Sequence, residues 1–215
     1  MTRLIEDWIK DIRDDIEKYE EKLVEKTGLN FLSLASNASN IPIDDLLASI
    51  KENKIGVIPI TSGKGIIGSF ASSVEAVLRF MGFDAFVTVD TDVAGMYEAH
   101  QRGATIIFLA DDKKFIAINL KKNIFVDNDL ATAAGFVSAM EGAAGGNLKD
   151  MEILLIGCGK VGKEIVNELQ RKNADIVVHD KNKSVLEEME RKGFRVLKDS
   201  NHIKKYRWIM DATST

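Results

Sequence analysis

Apolar side chains recur every three to four residues in the first stretch of the chain, between carboxylates and lysines. This spacing predicts a surface helix over Leu4–Lys26 that packs through one face. The pattern then becomes mixed, with a turn-prone segment at Ser36–Pro42 and a short helix predicted over Ile43–Glu52. The apolar face of the first helix consists of Leu4, Ile5, Trp8, Ile9, Ile12, Ile16, Tyr19 and Leu23.

The period changes at Lys54, where short apolar runs begin to alternate with helical spacing. Strands that alternate with helices in this way indicate a parallel sheet. Two later apolar runs, Phe115–Leu120 and Ile124–Val126, predict a short hairpin at the end of this region. The predicted alternating elements are strand Ile55–Ile60, helix Ser69–Met81, strand Asp84–Asp90, helix Val93–Arg102 and strand Thr105–Asp112.

An alanine-rich helix over Leu130–Gly142, followed by the glycine-rich Ala143–Asn147, marks the best domain boundary. We therefore divide the chain into an N-terminal helix with an α/β substrate domain (1–128), a connecting helix and linker (129–148), and a Rossmann-type parallel-sheet domain (149–215). An open doubly wound sheet normally continues further, so we expect this domain to be incomplete at its C-terminus. Its predicted elements are strand Met151–Gly157, helix Val161–Lys172, strand Asp175–Asp180, helix Lys183–Lys192, strand Phe194–Leu197 and strand Arg207–Thr213.

Composition limits the classes of function. Hydrophobic residues make up 45% and charged residues 29% of the chain, which is typical of a globular protein. A net charge of -4 gives no electrostatic reason to bind nucleic acid or an anionic membrane. The charged N-terminus resembles neither a signal peptide nor a membrane span, so we expect a cytoplasmic protein whose first helix could serve a homodimer.

A complete dinucleotide fingerprint, GCGKVG, follows the strand predicted at Met151–Gly157 and begins a helix. Its glycines permit a tight turn, a close approach to a pyrophosphate and close packing of helix on strand. Asp180, at the end of the next strand, can accept hydrogen bonds from a ribose diol and repel a 2′-phosphate, which favours NAD. Lys181 and Lys183 keep NADP open, and a helix N-cap is the structural alternative for Asp180. The predicted cofactor contacts are Gly157, Cys158, Gly159, Lys160, Val161, Gly162, Asp180 and Thr213.

No catalytic role is predicted for the other residues at this fingerprint and after the last strand. Cys158 is the single cysteine, so it has no internal disulfide partner, and we expect a small residue beside the glycines rather than a nucleophile. Thr213 and Ser214 follow the last strand, where such sheets carry ligand-contacting loops, although ordinary turn chemistry explains them equally well. No Cys/His spacing predicts a metal site.

A second GxGxxG lies at Gly63–Gly68, after the first strand of the substrate domain. Hydroxyl residues precede it and a lysine separates its first two glycines, so this loop could hold a carboxylate or meet the nicotinamide end of a cofactor. We expect the active site in the cleft between the domains. Acidic residues nearby would suit a positively charged ligand, although surface solvation explains them as well. They are Asp84, Asp90, Asp92, Glu98, Asp111 and Asp112.

Several segments together closely resemble the pyrroline-ring-forming dehydrogenase family of pyrrolysine biosynthesis (PylD). The resemblance runs in order from about Thr27 to the last residue, and its TSGxGIIGSF and ADD motifs are more specific than any Rossmann signature. The segments that carry it are Lys54–Phe70, Gly82–Thr88, Asp92–Ala99, Gly103–Leu120 and Gly157–Gly162.

The resemblance implies an NAD-dependent enzyme that oxidises the terminal amine of the methylornithyl part of L-lysine-Nε-(3-methyl-D-ornithine) and then closes a ring to give L-pyrrolysine. Its substrate, an amide-linked diamino acid, carries several ammonium groups. Asp111 matches a family position that faces the substrate, where it either holds an ammonium or also accepts a proton, and Asp112 is interpreted as a turn residue outside the site. The predicted substrate contacts are Thr61, Ser62, Gly63, Asp92 and Asp111.

Two other functions stay open at this point. One is another two-domain NAD(P)-dependent dehydrogenase for an amino acid or a shikimate-like ring, against which the TSGKGIIGSF loop argues. The other is a truncated, non-catalytic NAD-binding module, because family members continue past the position that matches Thr215. We expect no catalytic role for His100, His179 or His202.

Overall fold

The protein is described from a computed structural model, which covers residues 6–66 and 68–213. The chain divides into two compact α/β units between Asn128 and Asp129. Each unit is built on its own sheet. Within the described ranges, no helix has the length and apolar character needed to cross a lipid bilayer.

The sheet of the first unit has five strands in the order β2-β1-β3-β4-β5. Strands β1, β2 and β3 are parallel, and β4 and β5 add to β3 as an antiparallel hairpin, as the apolar pattern predicts. The three parallel strands therefore end at one edge of the sheet. The strands are β1 Lys54–Ile58, β2 Asp84–Val87, β3 Ile106–Ala110, β4 Phe115–Asn119 and β5 Ile124–Asp127.

Helices cover both faces of this sheet. Ala71 and Leu78 of α4 pack on Ile55 and Val57 from one face, whereas Ala99 of α5 packs with Ile58 and Phe86 on the other. Both helices connect parallel strands, as the alternating pattern predicts. The helices of this unit are α1 Ile12–Thr27, α2 Phe31–Ser39, α3 Ile43–Glu52, α4 Phe70–Phe80 and α5 Asp92–Gln101.

The N-terminal helix is shorter than the periodicity predicts. A 3₁₀ turn over Glu6–Trp8 precedes α1, and the helix begins only at Ile12. The helical conformation is interrupted at Ile9, because the side chain of Ile9 is buried and its carbonyl accepts a hydrogen bond from the Ser73 hydroxyl at 3.0 Å. The predicted contributions of Leu4 and Ile5 lie outside the described residues.

The pattern also misses α2, which occupies a segment interpreted as mixed and turn-prone. Asn30 caps this helix by accepting a hydrogen bond from the Ser33 amide at 2.8 Å, and Asn40 ends it in the left-handed conformation. Phe31 then packs edge-to-face on Phe80 of α4, with ring centroids 5.8 Å apart. The caps and this contact stabilise a helix whose serine-rich sequence has only a weak helical periodicity.

The second unit contains a parallel four-stranded sheet in the order β8-β7-β6-β9, which is the order of the first four strands of a Rossmann fold. Helix α6 lies before the first strand and contributes Ala133 and Val137 to the core of this unit. The elements are α6 Asn128–Ala143, β6 Glu152–Ile156, α7 Lys160–Arg171, β7 Asp175–His179, α8 Lys183–Arg191, β8 Arg195–Val196, a 3₁₀ segment Ser200–Lys205 and β9 Trp208–Asp211.

The core of the second unit centres on β6. Ile153, Leu154 and Leu155 are fully buried, because this strand is covered on both faces. Ile165 and Leu169 on the apolar face of α7 pack against it. This strand and helix fix the position of the glycine turn that joins them.

Candidate functional site

The turn between β6 and α7 has the geometry of a phosphate-binding loop. Gly157 adopts a φ of +88°, and its amide donates a hydrogen bond to the His179 carbonyl at 2.8 Å. A Cβ on Gly162 would lie 2.1 Å from the Gly157 carbonyl oxygen, so the helix reaches this turn only without a side chain there. The first and third glycines are therefore required by the protein itself.

The middle glycine is different, because a Cβ on Gly159 would meet no protein atom within 4 Å. Gly159 is also the N-cap of α7 and offers no side chain to cap the helix. Amides of the first turn of a helix, here Lys160 and Val161 among them, have no intrahelical acceptor, and the open position at Gly159 leaves room for an anion. A bare helix start beside an open glycine is the cradle that a pyrophosphate needs, and the residues fit a dinucleotide.

Asp180 lies against this turn at the end of β7. Its Oδ2 accepts a hydrogen bond from the Cys158 amide, and its Oδ1 accepts one from the Asn182 amide, both at 2.8 Å. Asp180 is not the N-cap of α8, as the structural alternative would require, because Asn182 occupies that position and accepts from the Ser184 amide. Each carboxylate oxygen keeps a lone pair for a further donor.

Cys158 is only 2% exposed. Its burial, and secondarily the nearby charge of Asp180, raise the pKa of the Cys158 thiol to about 11. The thiol is therefore protonated at neutral pH and is a small core residue rather than a nucleophile, in agreement with the sequence.

Thr213 follows β9 beside the glycine turn. Its amide and hydroxyl both donate to Oδ1 of Asp211, at 2.9 and 2.7 Å, and these hydrogen bonds lower the pKa of Asp211. Thr213 also limits the space at Gly157, where a Cβ would lie 3.0 Å from its amide nitrogen and Cγ2. Thr213 thus makes hydrogen bonds within its own turn, which is one of the two roles predicted for it, and it lies beside the anion cradle, the name used here for the turn Gly157–Gly162. Ser214 lies outside the described residues.

The first unit brings together polar residues that follow its three parallel strands. Thr61 follows β1, and Asp92 begins α5 after β2. The Thr61 amide donates to Asp92 Oδ1 at 2.9 Å, and the Thr61 hydroxyl donates to Oδ2 at 2.5 Å. Hydrogen bonds from the Thr61 hydroxyl and amide lower the pKa of Asp92, so this carboxylate is ionised at neutral pH.

Asp111 follows β3 in the turn to β4 and is exposed. Its Oδ1 accepts hydrogen bonds from the amides of Lys113 and Lys114, both at 2.7 Å. These bonds, that of Lys113 first, lower the pKa of Asp111. The second oxygen, Oδ2, has no hydrogen-bond partner within 6–66 and 68–213, so one end of the carboxylate remains available to a ligand.

Asp112 is the turn residue that the sequence predicts, and it makes a contact that the sequence does not indicate. It occupies the same turn, but its side chain contacts the TSGKG loop, defined here as Thr61–Gly65. Asp112 Oδ2 accepts a hydrogen bond from the Lys64 amide at 2.7 Å. The prediction that Asp112 lies outside the site stays a prediction, and the one signal in the sequence for its contact with the loop is the adjacency of two acids at a strand end.

The acidic stretch is not a single cluster. Asp84 lies at the start of β2, at the opposite end of that strand from Asp92, and pairs with Lys54 at 3.7 Å. Glu98 is used locally, because it accepts from the Val89 and Asp90 amides in the loop before α5 and pairs with Arg102 at the end of that helix. Asp92 and Asp112 both hydrogen-bond to the TSGKG loop.

The His179 carbonyl accepts the Gly157 amide, but the His179 ring is used elsewhere. His100 and His202 are exposed on their elements, and His179 Nδ1 contacts the Leu197 carbonyl oxygen at 2.7 Å. Among residues 6–66 and 68–213, no group of three or more His, Cys, Asp or Glu side chains has the arrangement of a metal site.

Comparisons with known families match the two units separately. The model of the pyrrolysine biosynthesis protein PylD, N-terminal domain, matches residues 8–126, and the TrkA-N domain model matches residues 153–203. The first match alone spans more than half of the chain.

Two curated proteins named pyrrolysine synthase are similar to this chain. That of Methanosarcina barkeri (strain Fusaro) is 32% identical over 213 residues, which make up 99% of this chain and 78% of that protein. That of Methanosarcina acetivorans is 40% identical over 134 residues, or 62% of this chain and 51% of that protein.

Solved structures share the fold at low sequence identity. Shikimate dehydrogenase from Aquifex aeolicus is 14% identical with a TM-score of 0.50, and covers 76% of this chain and 70% of its own. An Ael1 enzyme from Pseudomonas putida is 12% identical with a TM-score of 0.51, over 75% and 69%. These likenesses support the α/β, Rossmann-type fold predicted from the sequence.

The two glycines of the turn should respond differently to the same added methyl group. Gly162→Ala forces a Cβ against the Gly157 carbonyl and should lower the free energy of unfolding by about 1–3 kcal/mol, as overpacking does. Gly159→Ala meets no protein atom and should leave stability within about 0.5 kcal/mol of the parent. Urea denaturation followed by circular dichroism measures both, and equal losses would contradict this assignment of the turn.

Proposed function

The chain belongs to the pyrrolysine biosynthesis protein PylD family, and from that premise we propose that it is an NAD-dependent amine dehydrogenase that forms the pyrroline ring of pyrrolysine. The observation that carries the proposal is the match of 99% of the chain to a pyrrolysine synthase. The substrate would be the amide of L-lysine Nε with 3-methyl-D-ornithine. The cofactor is a nicotinamide dinucleotide, and we assign it as NAD.

The anion cradle supports a dinucleotide at the turn Gly157–Gly162. The open position at Gly159 and the uncapped start of α7 would receive the pyrophosphate, and the carboxylate of Asp180 would accept hydrogen bonds from the adenosine ribose. A 2′-phosphate beside Asp180 would be repelled, which supports NAD over NADP. When bound, NAD accepts a hydride from the carbon that bears the amine.

The ionised carboxylates of the first unit support a cationic substrate. Asp111 has one oxygen fixed by its own turn, and the other can accept a charge-assisted hydrogen bond from an ammonium group. Since its pKa is lowered, Asp111 is a poor proton acceptor near neutral pH. We therefore assign it to ammonium binding and not to general-base catalysis.

Ring closure needs little from the protein beyond alignment. After oxidation the terminal carbon is an imine, and the α-amine of the same ornithyl unit attacks that carbon while ammonia leaves. Both reacting groups belong to one molecule, so holding it in a folded-back conformation supplies the rate gain by proximity. The TSGKG loop and the carboxylate of Asp111 are the groups we assign to that task.

Removal of the Asp180 carboxylate should weaken NAD. Asp180→Ala should cost about 1–3 kcal/mol of binding free energy, the scale of a hydrogen bond to a charged group. Asp175→Ala makes the same charge change at the opposite end of β7 and should leave NAD affinity unaltered. Isothermal titration calorimetry compares the three proteins, and parent-like affinity in Asp180→Ala would remove this residue from the site.

Asp111→Asn keeps the shape of the side chain and removes its charge. We expect kcat/KM for the amide to fall about 10- to 100-fold, since one charged hydrogen bond is lost, with NAD affinity unchanged. The pKa of Asp111 lies below the ordinary aspartate value, so the carboxylate is ionised throughout pH 6–9 and the ratio of variant to parent should stay constant there. Asp84→Asn, at the other end of the first sheet's parallel strands, serves as the charge-matched control.

The reaction itself is tested by its products. With NAD, the methylornithyl-lysine amide or its desmethyl relative should yield one NADH per ring, ammonium, and a cyclic imine lighter than the substrate by one ammonia and two hydrogens. Free lysine and free ornithine should not react, because neither offers the amide-linked lysyl part through which remote binding aligns the reacting end. Absorbance of NADH and mass spectrometry are recorded together, and NADH formation without a cyclised product would refute the pyrroline-forming assignment.

A further inference from the structure

The TSGKG loop is held from two sides by carboxylates that belong to neighbouring loops. At its start, Asp92 binds both the amide and the hydroxyl of Thr61. Near its end, Asp112 accepts the Lys64 amide at 2.7 Å. Because Asp92 follows β2 and Asp112 follows β3, the loop after β1 is tied to both neighbouring parallel strands.

The contact with Asp112 also explains a glycine in the loop. A Cβ on Gly63 would lie 2.3 Å from Asp112 Oδ2 and 2.8 Å from Cγ, distances at which one side chain must move. The φ of Gly63 is +77°, which adds a second reason against a larger residue. Asp112 therefore occupies the space that any side chain at position 63 would take.

The neighbouring acid keeps Asp112 in this position. Asp111 accepts the amides of Lys113 and Lys114, and its own amide donates to the Lys114 carbonyl at 2.8 Å. These three hydrogen bonds fix the turn between β3 and β4. With the turn fixed, the side chain of Asp112 extends to the TSGKG loop, so the two adjacent acids have different tasks.

Between the two carboxylate contacts lies Ser62. Ser62 is exposed, and its hydroxyl has no hydrogen-bond partner in the part of the chain that the structure describes. A loop fixed on either side of an uncommitted hydroxyl is pre-organised to present that group to a ligand.

We propose that Asp112 is a positioning residue, which holds the TSGKG loop against the β3–β4 turn and thereby sets the place of Ser62 for substrate binding. It acts through the Lys64 amide and through its contact with Gly63, without touching the substrate. The substrate part of this inference rests on the proposed function, whereas the loop-holding part concerns the protein alone.

The loop-holding part is tested on the free protein by hydrogen exchange with mass spectrometry. In Asp112→Ala, the Lys64 amide loses its acceptor, and exchange of the peptide that contains Thr61–Gly65 should accelerate about tenfold, which corresponds to the loss of one hydrogen bond. Asp112→Asn keeps a side-chain oxygen and should show a smaller acceleration. Parent-like exchange in Asp112→Ala overturns the proposal.

A double-mutant cycle tests the Gly63 contact. Gly63→Ala should accelerate loop exchange in the parent, and in the Asp112→Ala background it should add less, because the colliding carboxylate is already gone. Gly65→Ala is the matched control, since Gly65 has a φ of +83° but its Cβ would meet no atom within 4 Å. Its effect should add fully to that of Asp112→Ala, and full additivity for Gly63→Ala as well would overturn the proposed contact.

Turnover tests the substrate part. With the amide substrate and NAD, Asp112→Ala should lower kcat/KM about tenfold and Asp112→Asn should restore part of the loss, with unchanged NAD affinity and thermal midpoint. Parent-like kcat/KM in Asp112→Ala overturns the substrate part. If the parent itself does not turn over the amide, the proposed function fails, and the exchange measurements still decide whether Asp112 holds the loop.

Discussion

Backbone amides in the loops after the parallel strands need hydrogen-bond acceptors, and this protein supplies them from aspartate side chains. In the first unit, Asp92, Asp111 and Asp112 each accept from loop amides, and in the second unit Asp180 and Asp211 do the same. Loops that depend on such bonds need no regular structure of their own, because the carboxylate replaces the missing backbone partner. The carboxylates at these strand ends therefore have a structural role in holding the loops.

The parallel strands within each unit could be predicted from the sequence, because strand and helix periods differ and the glycine turn follows a continuous apolar strand. The pattern failed where tertiary contacts decide. Helix α1 starts only at Ile12 because Ile9 is buried and its carbonyl is bonded to Ser73 of α4, and α2 is stabilised by the contact of Phe31 with Phe80. Helix α6 resembles a connector, yet Ala133 packs in the core of the second unit. None of these contacts has a local signature in the sequence.

The residue types at the candidate site could be predicted from the sequence, but the separate roles of neighbouring residues could not. Asp180 and the open glycine turn follow from a known spacing. The roles of the two adjacent acids do not, because a strand places neighbouring residues on opposite sides and a turn can reverse that order. Only the folded structure shows that Asp111 closes its own turn while Asp112 accepts the Lys64 amide. A sequence also does not show which carboxylates accept hydrogen bonds from backbone amides and which do not.

The buried thiol of Cys158 has a practical consequence for chemical labelling. A thiol whose burial raises its pKa to about 11 and leaves it almost inaccessible reacts slowly with maleimides and with oxidants at neutral pH. Since the chain has no other cysteine, one engineered on the surface becomes the sole reactive thiol without removal of the native one. Fluorophores or spin labels can therefore be attached at a chosen position, such as a loop of either unit, while the glycine turn remains intact.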